Sequence, residues 1–144
     1  MRALIVLDLR QIIREHLKSL VERELEGLEL GGMLEAEVAF DPTFALAPIV
    51  ASGREVRVSK EVENSWQLQV GNPLVHAVAD YTDLAPPEPL HRLLEATARL
   101  EAGGVCVVRL QRDPAPAKSH LDARGLSWQV AGRPDGSVLL WVRR

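Results

Sequence analysis

The chain has 144 residues, of which 47% are hydrophobic and 26% charged, with a formal net charge of −3. That apolar share is normal for a packed domain and too high for a disordered one. The 17 basic residues against 20 acidic ones leave none of the basic excess of a nucleic-acid binder, and one cysteine excludes an internal disulfide.

An apolar run at residues 3–7 ends at Asp8 and reads as a strand. It is shorter than a signal-peptide core and far shorter than a membrane span, so the reading is a cytoplasmic protein with no membrane partner. A helix follows, with Ile13, Leu17, Leu20 and Val21 on one face and Gly27 as its stop. Residues 33–40 read as a strand. Asp41-Pro42 then supplies an N-cap and a first helical proline. That helix is short, and Pro48 is expected to kink or end it. Residues 54–59 and 64–70 read as strands, and Gly71-Asn72-Pro73 marks a boundary.

The second half repeats this order. Residues 79–82 form a strand and residues 87–102 a helix, whose apolar face is Leu90, Leu93, Leu94 and Ala98. A strand at 105–111 and a helix at 113–124 follow, with Gly125 as the residue after the cap. Strands near 126–130 and 137–142 close the chain. Gly31-Gly32 and Gly103-Gly104, Asp41-Pro42 and Asp113-Pro114, and Gly53 and Gly125 are all 72 positions apart. Asp8-Leu9 and Asp83-Leu84 are 75 apart, which places a three-residue difference within the first helix. The expected fold is α+β: two tandem β-α-β-α-β-β two-layer sandwiches, residues 1–72 (divergent) and 73–144.

In the second half, Asp83-Leu84-Ala85-Pro86-Pro87-Glu88-Pro89 is similar to an Asp-x-x-x-Cys-Pro-x-Pro opening, and Arg112-Asp113-Pro114 to an Asp-Asp-Pro ahead of a second helix. On these motifs the chain resembles the TusA/SirA-like sulfur-carrier superfamily, in an uncharacterised branch without the motif cysteine. The resemblance covers residues 79–144 and reaches the first half only through the repeat. It implies that the motif-equivalent residues are Asp83, Pro86, Pro87, Glu88 and Pro89. In the carriers that cysteine holds a persulfide at a helix N-terminus, where the dipole favours the thiolate. Pro86 and Gln11 stand at this position here, so sulfur relay there is chemically excluded.

Other chemistry is sparse. Cys106, the only thiol, lies on a strand with its side chain on the helix-covered face. It reads as a buried, inert cysteine. His16, His91 and His120 sit singly on solvated helix faces, and His76 belongs to no metal-ligand spacing. No metal site and no cofactor are expected. Asp8, Asp41, Asp83 and Asp113 all stand where a helix begins, and capping accounts for each. Neither Gly-Gly pair opens a helix, so neither is a phosphate loop.

Strand parity gives one contrast between the halves. One face of the first sheet carries Glu35, Glu37, Glu55, Arg57, Gln67 and Gln69 and reads as solvated. The same positions in the second half are Val107, Arg109, Ser127, Gln129, Leu139 and Trp141, with Val105 extending the row. Val105, Val107, Leu139 and Trp141 therefore read as an exposed apolar patch, an interface for the first half, a second copy or a protein partner. The leading expectation is a non-enzymatic binding or scaffolding protein. The alternative is a small-molecule, anion or metal-linked redox accessory protein, with a ligand or metal held through His16 and His91, or an anion at Arg10, Gln11 and Arg14 by the free N–H groups of the first helix.

Overall fold

The computed structural model describes residues 2–71 and 78–144. Each half forms a four-stranded mixed sheet with two helices. The first contains β1 (Arg2–Asp8), α1 (Arg14–Leu25), β2 (Leu28–Val38), α2 (Thr43–Ala51), β3 (Glu55–Val62) and β4 (Ser65–Gly71). The second contains β5 (Val78–Asp80), α3 (Glu88–Ala98), β6 (Val105–Leu110), α4 (Ala115–Ala123), β7 (Ser127–Gly132) and β8 (Val138–Arg143). The sheet orders are β1-β2-β4-β3 and β5-β6-β8-β7, with the first pair parallel and the others antiparallel. The chain is thus α+β, built from two similar β-α-β-α-β-β units, Met1–Leu74 and Val75–Arg144. The boundary expected at Asn72-Pro73 lies outside the described residues, as does His76.

Apolar spacing explains the helices. Leu17, Val21 and Leu25 recur every four residues and are buried on α1, the stripe that lets a helix cover a sheet. They share a core with Ile5, Leu34, Val38 and Leu68. In the second unit Leu93 of α3 and Ala117 and Leu121 of α4 pack with Val108, Leu140 and Val142. Fully burying each large apolar side chain is worth about 1.5–3 kcal/mol.

Several helix boundaries and faces differ from the sequence expectation. Ile13 is the N-cap residue of α1 and is exposed, because α1 starts one residue later than the apolar spacing suggests. α2 runs through Pro48 to Ala51. Leu46 and Ile49, which flank the proline, are buried in the first core, so packing outweighs the single hydrogen bond the proline cannot make. On α3 the buried partner of Leu93 is Thr97, whereas Ala98 is exposed. Gly125, at φ +70°, ends α4 in the left-handed region that a glycine enters without penalty. Its N–H donates to Asp122 O and that of Leu126 to Leu121 O, the paired bonds of a Schellman stop.

The repeat is uniform through the strands. Asp8 pairs with Glu37 and Asp80 with Arg109. The next residues, Leu9 and Tyr81, donate to the carbonyls of Glu37 and Arg109. The counterpart of Asp8 is therefore Asp80, 72 positions on, and not Asp83. Since Gly31 and Gly103 are also 72 apart, the expected three-residue difference disappears, and α3 only starts later within a stretch of equal length. Pro86 and Pro87 have no N–H to enter a helical ladder, and α3 starts only at Glu88.

Candidate functional site

In the second unit, an apolar cleft of about 260 Å³ opens beside the start of α3. One side comes from the loop between β5 and α3, with Leu84, Pro86 and Pro87, and from Pro89 and Leu90 at the head of the helix. The loop between β6 and α4 forms another side, with Arg112, Asp113 and Pro114, and Pro116 and Ala117 continue it onto α4. The buried Leu93 and Leu110 belong both to the cleft and to the core, which anchors the site to a rigid sheet and helix. Tyr81 also lines it, and burial pushes its hydroxyl above the usual range.

Five of the nine prolines of the chain line this cleft. Each contributes a rigid apolar ring and no amide donor. The motif-equivalent residues Pro86, Pro87 and Pro89 are thus brought together at one site. Glu88 points its carboxylate elsewhere and accepts from Arg92 Nε at 2.9 Å on the surface of α3. Asp83 is exposed in a turn well ahead of the helix and caps nothing. Instead Asp80 ties this turn, accepting from the Thr82 amide at 2.9 Å and the Thr82 hydroxyl at 2.5 Å. Burial raises the Asp80 carboxyl, but these bonds outweigh it and leave the pKa lowered.

The matching position in the first unit carries a different side chain. Phe40 stands where Arg112 stands in the second unit, 72 positions on. The Phe40 ring packs against the first core, and the Arg14 guanidinium lies 5.1 Å from its centroid. Arg112 is exposed and puts no such ring into the equivalent space.

None of the expected aspartates makes a side-chain cap of its helix, since Pro42 is the N-cap residue of α2, although Asp41 ties the turn ahead of it. Asp41 Oδ1 accepts from the Thr43 amide at 3.0 Å and its hydroxyl at 2.6 Å, which holds the carboxyl below its usual range. Asp113 instead pairs with Lys118, Nζ to Oδ1 at 2.8 Å, and α4 has no side-chain cap. Asp8 binds Arg10, at 2.8 Å from Nε and 2.6 Å from Nη2, which lowers its pKa.

The anion site expected at Arg10, Gln11 and Arg14 is not assembled. Arg10 is held by Asp8, and Arg14 lies over Phe40. Arg10 and Gln11 lie in a turn ahead of α1, so their amides are not its N-terminus. His16, His91 and His120 are exposed on α1, α3 and α4. Among the described residues, no group of three or more His, Cys, Asp or Glu could hold a metal ion.

Cys106 lies on β6 and packs against the second core, on the helix-covered face as expected, although it is half-buried rather than fully buried. Burial pushes its thiol up to about 11. It is not among the residues lining the cleft.

One of the other sheet faces corrects an expectation. Glu35, Gln67 and Gln69 are buried, not solvated. Glu35 Oε1 accepts from Gln69 Nε2 at 2.9 Å and also from Gln67 Nε2, while Arg57 Nε donates to Gln69 Oε1 at 2.7 Å. Cross-strand register carries this network, since Glu35 pairs with Gln69 and Gln69 with Arg57. In the second unit Val107, Leu139 and Trp141 are at most 1% exposed, and Val105 is half-buried. They share one face, with Val107 opposite Trp141, and that face is buried, as the expected contact surface would be. No helix among the described residues is long and apolar enough to cross a membrane.

Residues 78–144 match a family described as an uncharacterized conserved protein (DUF2249). The matched segment contains every residue of the cleft. No curated protein and no solved structure matches the chain. The amino-acid sequence alone does not reveal the cleft. Its signal is the crowding of prolines at 86–89 and 114–116, which reads as loop chemistry until the two loops are brought side by side.

Proposed function

We propose that this is a non-catalytic binding protein, related to TusA/SirA-like sulfur-carrier domains, that takes up its ligand in the proline-lined cleft of the second unit. One observation carries the reading: Pro86, at the position the resemblance gives to the sulfur-carrying cysteine, forms part of the wall of an apolar cleft. The carrier chemistry needs a thiolate beside free amide donors. Pro86, Pro87 and Pro89 supply neither. An apolar recess on a rigid scaffold is what a binding site requires. Cys106 supports the same reading, because a thiol pushed up to about 11 is a poor nucleophile at neutral pH. The reading places the protein in the cytoplasm, where a lone reduced cysteine is the usual state.

The test is incubation of the whole protein with a persulfide donor, followed by intact mass spectrometry. The expected result is no stable adduct of one sulfur atom. A stoichiometric adduct that survives desalting overturns the reading.

A further inference from the structure

The charges around the cleft specify what it takes, given the binding role proposed above, on which the ligand class rests. Its wall is almost wholly apolar, so the body of the ligand must be apolar too. At about 260 Å³ the space is near the small end of ligand pockets, roughly 300–1,000 Å³. It admits a ring or a short acyl chain and is too small for a dinucleotide.

The polar rim is asymmetric. Asp113 is neutralised by Lys118 at 2.8 Å. Glu88, beside the wall residues Pro87 and Pro89, is neutralised by Arg92 at 2.9 Å. Asp83 precedes Leu84 in the chain and is not part of the lining. Arg112 does line the cleft. Among the described residues it is the one cationic residue along the wall, and a guanidinium suits two parallel hydrogen bonds with a carboxylate. We infer that the cleft binds a small amphipathic organic anion, with its apolar body among Pro86, Pro89, Leu90 and Pro116 and its carboxylate on Arg112. At the matching position of the first unit Phe40 packs on the core, whereas Arg112 in the second supplies the charge that reads the ligand.

The experiment is an NMR titration of the whole protein with octanoate and with octylammonium, which share a chain and differ in charge. Octanoate is expected to give saturable shifts at Tyr81, Leu84, Leu90 and Ala117 and to bind more tightly than octylammonium. Arg112→Gln, an exposed substitution whose fold the same spectra check, is expected to weaken octanoate by roughly tenfold to a hundredfold, the worth of hydrogen bonding to a charged group. Equal affinity for the two compounds, or no effect of Arg112→Gln, overturns the anion class and leaves the cleft as a binding site. Shifts at those four residues with neither compound overturn both the ligand class and the cleft reading.

Discussion

Lys118 Nζ lies 2.8 Å from Asp113 Oδ1, across the first turn of α4. The helix starts at Ala115 with Pro114 as its N-cap residue. Pro114 and Pro116 offer no N–H, so the aspartate finds a lysine in place of the amides a cap would serve. Asp113→Ala should therefore cost less than about 1 kcal/mol, the usual worth of an exposed ion pair. A true cap would cost about 0.5–2 kcal/mol. Urea unfolding measures the difference, and a loss near 2 kcal/mol that persists in high salt would restore the capping role.

Cys106 should be slow to alkylate in the native protein at pH 8, and its rate should keep rising as pH passes 10. Burial lifts the thiol from 9.0 to about 11, so the reactive thiolate is scarce below that range. The linkage has the same sign. The folded state holds the proton more tightly than the unfolded one, so this contribution is complete below pH 9 and is lost as pH rises towards 11. Rates of reaction with iodoacetamide across this range test it, and a plateau near pH 9 would mean an ordinary, solvated thiol.

Trp141→Ala should cost about 3–5 kcal/mol without changing the mass measured by sedimentation. The side chain is 1% exposed, in register with Val107 and Gln129, and the Arg143 guanidinium lies 5.1 Å from its ring. A fully stable variant that sediments at half the mass of the parent would mark Trp141 as a dimer contact instead.

Glu35→Ala should cost roughly 1–3 kcal/mol, because the buried amides of Gln67 and Gln69 lose the oxygen they share. Glu35→Gln keeps an oxygen at the same place and should recover part of the loss. Chemical denaturation of both variants settles the comparison. If alanine at 35 were neutral, the network would contribute nothing to folding.

The order of elements was legible without coordinates, because it rests on local rules. Leu17 and Val21 stand at helical spacing, Gly125 marks a helix end, and Gly31 and Gly103 recur 72 positions apart, at φ +81° and +79°. Each depends on its neighbours in the chain, and the α+β class and twofold unit follow from them. The absence of a thiol at residue 86 was equally local, since the residue there is proline. Burial was not local. Parity placed Glu35, Gln67 and Gln69 on one face and Trp141, Leu139 and Val107 on the matching face. It could not say whether those faces meet water, and a carboxylate flanked by amides reads as solvated until the strand register lets one satisfy the other. Asp113 and Asp8 were drawn to Lys118 and Arg10 by contacts that capping patterns do not encode. The cleft needed tertiary structure most of all. Pro86 and Pro116 are far apart in sequence, and only the packing of α3 and α4 on one sheet face brings both to one recess. A recess is a volume enclosed by several segments, and no single segment of the chain carries it.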